Sequence, residues 1–267
     1  MRSIPDDFDA ESVTAIDGRL DGIVRDERVS IPLAIESGSR AWGFASPDSD
    51  YDCRFLYVRR REDYLTLWPR RDVIETALEG LLDANGWDIA KALRLIVKGN
   101  AVAIEWLRSP IAYRGDPAFR DAVLAFADAH APLPLLRRHY LHLGTQQWLR
   151  AGDAEAIAIK RLFYILRPAA VLRWMRLHPG LTPPMHFPTL IAECDPPAQV
   201  GAIVAELIAR KAETRELGLA PMPAELAAFA EAEFAHAKAE EKGMTDPRSQ
   251  AAADSFFLEM VDRFGPE

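Results

Sequence analysis

The segment Glu36 to Arg54, ESGSRAWGFASPDSDYDCR, concentrates residues whose types and spacing suit phosphate and metal chemistry. It holds a Gly-Ser pair at 38–39, a second glycine at 43, and Ser49-Asp50-Tyr51-Asp52 running into the apolar stretch Phe55 to Val58. A Walker-type phosphate loop needs two glycines with four residues between them, then Lys and Ser or Thr. Gly38 and Gly43 have that spacing, but Phe44 stands where the lysine belongs. A calcium loop of the EF-hand kind needs acids at its first, third and fifth positions, glycine at the sixth and glutamate at the twelfth. Asp48, Asp50 and Asp52 supply the acids, yet Cys53 and Arg59 fill the other two places. A two-metal nucleotidyl-transfer site meets no such obstacle. Extended backbone over Asp50 to Val58 turns the Asp50 and Asp52 side chains to one face, about 6.6 Å apart along the strand. Two Mg²⁺ ions about 3.5–4 Å apart fit between and beside such carboxylates, and hard Mg²⁺ takes oxygen ligands from carboxylates and substrate phosphates. Gly38 lets the backbone approach a triphosphate, and its N–H groups with the Ser39 hydroxyl can donate to phosphate oxygens. A bare Asp-x-Asp also fits a solvated turn before a strand. The Gly-Ser pair about ten residues earlier is what favours metal ligation over that reading.

Such a site needs a strand before Gly38 and another after Asp50. Short β-rich runs occupy Val29 to Ile35, Cys53 to Val58 and Val73 to Ala77, separated by Pro, Gly and Asp. After Trp87 the pattern turns helical, with Ile89, Ala92, Leu93 and Ile96 on one face of Asp88 to Lys98. Further helices are expected over Asp116 to Ala129, Leu133 to Arg150, Ala154 to Leu177, Gln199 to Leu217, Pro223 to Lys242 and Ser249 to Phe264, punctuated by prolines. Strands followed by a run of helices predict an α+β head joined to a helical tail.

The chain has 267 residues, 49% hydrophobic and 27% charged, enough for one large domain or two small ones. Its 32 basic against 40 acidic residues give a formal charge of −8, which argues against coating a duplex by bulk charge. A groove built from Arg137, Arg138, Arg161 and Arg167 would overturn that argument. No apolar run approaches the roughly 18 residues needed to span a bilayer. Met1 to Ala10 carries Asp6, Asp7 and Asp9 without an apolar core, so no secretory signal is expected. Cys53 and Cys194 form no framework, and a reducing cytoplasm is the expected location.

The Gly-Ser and Asp-x-Asp block resembles the nucleotidyltransferase superfamily that includes DNA polymerase β. The closer resemblance is to a bacterial and phage group within it, related to the RNA-repair-pathway polymerase-β-like proteins. It runs through GSRAWGFASPDSDYDCRFLYV, then GWDIAKALRLIVKGNAVAIEWLRSPIAY (Gly86 to Tyr113) and, more loosely, KRLFYILRPAAVLRW (Lys160 to Trp174). One departure is Asn100-Ala101-Val102, where the group has Asn-Pro-Thr; it falls at a helix start, away from the chemistry. The resemblance implies a polymerase-β-like head, a small mixed sheet with helices over 1–115, and an all-helical C-terminal domain over 116–267 closing on the nucleotide. It implies a nucleoside triphosphate substrate, Mg²⁺ or Mn²⁺ as cofactor, and an acceptor hydroxyl on an RNA end, a protein or a small molecule. The rival from another class is a non-catalytic nucleotide- or protein-binding module, which the intact Asp-x-Asp disfavours.

The resemblance also calls for a third carboxylate on a neighbouring strand. Candidates are Asp83, Asp88, Glu79 and Glu75. Asp83 ends the strand-like run Gly80 to Asp83 ahead of an expected Asn85-Gly86 turn, whereas Asp88 has the place of a helix N-cap. The catalytic set is therefore Asp50, Asp52, Asp83 and Asp88, with Asp50, Asp52 and Asp83 as metal ligands and Asp83 ranked ahead of Asp88. Gly38, Ser39, Arg40 and Ser49 are assigned to the nucleotide, Arg40 competing with a solvent-facing role. Lys160, Tyr164 and Arg167, at i, i+4 and i+7, share a helix face that fits either a triphosphate or solvent. Arg173 lies about 220° further round and cannot join them. Asp48 reads as a turn residue, Trp42 as packing and Glu105 as a structural ion-pair residue. His139 and His142 lack an acid or Cys partner for zinc, and Glu231 to Glu241 reads as a solvated helix face.

Overall fold

A computed structural model describes residues 1–152, 156–214, 218–240 and 243–267. Asp9 opens helix α1 (Ala10–Glu27) by accepting from the Ser12 N–H. The sequence reading did not anticipate this helix, because Gly18 and Gly22 weaken its helical signal. Strand β1 (Ser30–Glu36) follows, then a five-residue helix α2 (Gly38–Trp42) and strand β2 (Tyr51–Val58). Strand β3 (Val73–Glu75) leads into β4 (Leu82–Asp88), helices α3 (Ile89–Ile96) and α4 (Ala101–Leu107), and strand β5 (Ala112–Gly115). The strands form one mixed sheet in the order β3-β4-β2-β1-β5, with β2 and β4 parallel and the other pairs antiparallel.

Two of these elements correct the expectations. Asn85-Gly86 is no turn but the middle of β4. A Cβ on Gly86 would meet the Phe55 ring at 2.0 Å, so the glycine serves close packing of β4 on β2 rather than chain reversal. β5 went unforeseen because its four residues carry no alternation long enough to read. The Asn100 departure lies where expected, its side chain accepting from the Ala103 N–H to cap α4.

Helices α5 (Pro117–His130) and α6 (Leu133–Ala151) come next, then strand β6 (Ile157–Ala158) and helix α7 (Ile159–Leu177). Helices α8 (Phe187–Glu193) and α9 (Ala198–Glu213), strand β7 (Leu219–Ala220), and helices α10 (Ala224–Ala239) and α11 (Pro247–Phe264) complete the chain. The expected start at Ala154, and the expected ends at Leu217 and Lys242, lie outside the described residues. Within the acidic run Glu231 to Glu241, Glu233 is not solvated. It is buried between Arg173 and Arg176, at 3.1 and 2.8 Å. Periodicity alone gave no sign of these partners from α7.

Strand alternation places Cys53, Phe55 and Tyr57 against α1 through Ile16 and Leu20, and Leu56 and Val58 against α3, α4, α5 and α11. Phe119, Val123, Met260 and Val261 thus belong to the head's core, although α5 and α11 follow the expected boundary at 115. A third core is built from α6, α7, α8, α9 and α10, and Phe44, Ala101 and Ile104 of the head enter it. The head and the helical half therefore share packed surface beside α2. Among the described residues no helix is long and apolar enough to cross a membrane.

Candidate active site

The site begins where β1 ends and the chain must turn sharply to return as β2. Gly38 has a φ of +65°, and a Cβ there would lie 2.1 Å from Asp52 Oδ2. Only glycine admits both this backbone and the carboxylate packed on it. The Ser37 N–H donates to the Asp52 carbonyl at 2.9 Å, tying the turn to the strand. The intervening loop is tied down from within. Ser49 Oγ accepts from Ser39 Oγ at 3.0 Å and from the Ser46 N–H at 2.9 Å. Arg40 donates to the carbonyls of Ser49 at 2.7 Å and Asp50 at 3.1 Å, and its guanidinium lies 3.9 Å from the Tyr51 ring centroid. Arg40 thus ties down the Ser49 and Asp50 backbone, while the Ser49 hydroxyl ties the loop to Ser39 and Ser46.

Asp52 and Asp83 are register partners in the parallel β2–β4 pair, so their Cα atoms face one another across the roughly 4.8 Å strand spacing. Arg54 sits between them, donating to Asp52 Oδ1 at 3.0 Å and Asp83 Oδ2 at 2.7 Å. Asn85 donates to the other Asp83 oxygen at 2.6 Å. Asp50 is exposed at the cleft mouth. Burial raises the Asp52 pKa; Arg54 opposes the shift, and Asp83 and Asp50 add to it. Beneath them Glu36 is fully buried, its Oε1 accepting from the Asp52 N–H at 2.9 Å and its Oε2 from the Tyr113 hydroxyl. Burial pushes its pKa up to about 8. Glu36 and Arg54 escaped the sequence reading. The only signal for Glu36 was an acid at a strand end with no turn role, and Arg54 continues the i, i+2, i+4 face of Asp50 and Asp52.

Among the described residues no three His, Cys, Asp or Glu side chains are already gathered into a metal cage. The donor chemistry nonetheless suits Mg²⁺. It consists of carboxylate oxygens on one face, with the Arg54 guanidinium standing in as the cation between two of them.

Asp88 is not brought to this cluster. It lies at the far end of β4, where its carboxylate accepts from the Ala90 N–H at 2.8 Å and the Tyr64 hydroxyl at 3.2 Å, capping α3. Glu75 pairs with Arg71 and Glu79 with Arg19, both away from Asp52. The two leading candidates should respond differently to mutation. In the metal-ligand reading, Asp83→Ala is expected to lose activity together with its Arg54 and Asn85 contacts, whereas Asp88→Ala should lose roughly 0.5–2 kcal/mol of stability and keep its turnover. Burial also pushes the Asp88 pKa up to about 6. The folded chain therefore holds that proton more tightly than the unfolded one, and stability falls as pH rises from the ordinary carboxylate range through about 6. Asp88→Asn keeps the cap and should flatten that part of the slope in denaturant midpoints measured from pH 4 to 7.

Asp50, Asp52 and Arg54 form one wall of a cleft of about 670 Å³, and Lys160, Tyr164 and Lys211 line the other. Trp42 packs between them, 6.0 Å from the Tyr164 ring and 5.6 Å from that of Phe44. Arg167 does not join Lys160 and Tyr164 in the cleft. It is buried, ion-paired with Glu105 at 2.7 Å and set 4.6 Å from the Trp42 ring centroid. Of the other arginines considered for a groove, Arg137 pairs with Glu240 and Arg161 donates to the Arg150 carbonyl. His139 accepts from the Ala101 N–H at 3.1 Å.

The model of the RNA repair pathway DNA polymerase beta family matches residues 13–259. An uncharacterised protein of Bacillus subtilis (strain 168), YcgL, is 36% identical over 225 residues, covering 81% of this chain and 86% of its own.

Proposed function

The chain belongs to the RNA repair pathway DNA polymerase beta family, and we propose that it is a Mg²⁺-dependent nucleotidyltransferase. In this reading it moves a nucleoside monophosphate from a triphosphate to an acceptor hydroxyl and releases pyrophosphate. The observation that carries the reading is the fit of the Asp52 carboxylate against the bare Cα of Gly38, with Asp83 beside it in register. That fit joins a backbone able to approach phosphate to an acid pair able to hold a cation.

Asp50 and Asp52, with Asp83, would hold Mg²⁺, and Mn²⁺ shares the same oxygen preference. The ions, when bound, supply charge neutralisation at the phosphate and acceptor oxygens. The protein's own work is positioning. Gly38 and Ser39 bring N–H groups to the phosphates. Ser49 and Arg40 hold the loop so that Asp50 stays on the Asp52 face. Glu36, anchored by Tyr113, fixes the Asp52 backbone from below. Lys160 and Tyr164 bound the nucleotide from the helical side.

The test is incubation of the purified protein with each of the four ribonucleoside triphosphates, labelled at the α-phosphate, with Mg²⁺, alone or with an RNA bearing a 3′ hydroxyl, a cellular protein extract or a small-molecule metabolite extract. Label on the protein identifies self-modification, label on RNA a terminal transferase, and label in a new small-molecule product a small acceptor. Label in none of these fractions overturns the proposal in favour of a non-catalytic binding module.

A further inference from the structure

Lys211 is only 4% exposed, yet it lines the cleft from α9. Its ammonium lies 4.7 Å from the Phe44 ring centroid and 5.4 Å from that of Phe163. Among the described residues it has no hydrogen-bond or ion-pair partner. An ammonium held among apolar side chains, with no ion pair among the described residues, is costly, and a methionine or leucine would fill the same space without the charge. The two rings give partial compensation. Among the described residues the cations lining the cleft are Arg54, Lys160 and Lys211, and Arg54 is held by Asp52 and Asp83. Among the described residues, Lys160 and Lys211 are therefore the cleft-lining cations without an ion pair, on the wall opposite the carboxylates. Arg167, which shares a helix face with Lys160, is committed to Glu105.

We propose that Lys211, paired with Lys160, reads the terminal phosphates of a polyphosphate chain bound across the cleft, and so distinguishes a nucleoside triphosphate from a monophosphate. The inference rests on the nucleotide-binding part of the reading above. A compact ammonium on a flexible stem suits a phosphate that needs a point charge rather than a planar fork. Position adds to the argument. Asp50 and Asp52 stand on the β-sheet side, so the part of the substrate reaching the α7 and α9 side is the part farthest from the acids. Among the described residues the charged groups acting on Lys211 are Lys160 from α7 and Asp48 from the loop before β2. Burial, reinforced by Lys160 and opposed by Asp48, lowers its pKa to about 8. Polyphosphate affinity should therefore weaken as pH rises past that value.

The test measures binding without turnover. Dissociation constants for inorganic tripolyphosphate, and for each ribonucleoside triphosphate with its monophosphate, are taken in Mg²⁺ for the wild type and Lys211→Met, which keeps the apolar stem. Charge-assisted contacts of this kind lead to an expected loss of roughly tenfold to a hundredfold for the tri- and polyphosphates. Monophosphate binding should change by less than about twofold, and the melting temperature should not fall. In the wild type, tripolyphosphate affinity should drop about tenfold between pH 7 and 9 as the ammonium is lost, a step absent from Lys211→Met. Equal losses for tri- and monophosphates, or unchanged affinities, would overturn the proposal. Lys160→Met, at an exposed position, keeps the test decisive if Lys211→Met fails to fold: the same selective loss is expected, and no loss would overturn the proposal. Lys211-dependent binding without label transfer would instead sink only the proposed transfer activity.

Discussion

Asp52→Asn is expected to give a folded protein whose nucleotidyl transfer is slower by about a thousandfold. The substitution preserves shape against Gly38, where a single added carbon would already collide with the side chain. It removes one negative charge from the Asp50–Asp52–Asp83 face. Metal-borne charge stabilisation is worth several kcal/mol, and each 1.36 kcal/mol is a factor of ten in rate, so losing about 4 kcal/mol corresponds to that thousandfold. Folding should survive because burial already disfavours the charged form of Asp52. Asn removes that penalty and can still accept from Arg54. Single-turnover rates at saturating Mg²⁺, with melting temperatures of both proteins, check the expectation. A loss of less than tenfold would remove Asp52 from the metal-binding role. Asp50→Asn should act in the same direction, and Arg40, which holds the Asp50 backbone, should matter to activity through that residue.

The parts of this site legible in the sequence are those encoded by local spacing. Gly38 and Ser39 open α2, Asp52 lies in β2 and Asp50 stands one residue before that strand, and period-two alternation assigns both carboxylates to one face. Asp83 was only half legible. Its strand could be suspected, but its register opposite Asp52 depends on a parallel pairing that local pattern does not specify, and the Asn85-Gly86 pair masquerades as a turn. Glu36 and Lys211 were not legible. Their significance comes from what lies over them, Tyr113 and Asp52 in one case and Phe44 and Phe163 in the other, and each of those contacts joins residues distant in sequence. The Lys160–Tyr164–Arg167 stripe shows the same limit from the other side. Helical periodicity states which residues share a face and is silent on what meets each turn of it. The first turns of α7 meet the cleft, and the next meets α4.

That meeting carries the second large effect. Glu105→Ala is expected to destabilise the protein by about 3–5 kcal/mol, the range for removing one member of a buried ion pair and leaving the other charge uncompensated. Glu105 and Arg167 side chains are only 8% and 7% exposed and lie 2.7 Å apart. The Tyr140 hydroxyl donates to the same Glu105 oxygen at 2.6 Å. One carboxylate of the head thus binds α6 and α7 of the helical half, and its loss orphans both a guanidinium and a hydroxyl. Glu105→Leu with Arg167→Met should recover much of the loss, because a well-packed apolar pair of similar volume avoids desolvating two charges. Urea midpoints of Glu105→Leu, Arg167→Met and the double variant form the cycle that checks this. A cost below about 1 kcal/mol for Glu105→Ala would show that the pair does not hold the halves together. The pair crosses the 115/116 boundary expected from sequence, and α11 returns from the far end of the chain to pack with α3 in the head. Wild-type unfolding should therefore be a single transition by both far-ultraviolet circular dichroism and tryptophan fluorescence, with Trp42 and Trp106 on the head side and Trp148 and Trp174 on the helical side losing their environments together.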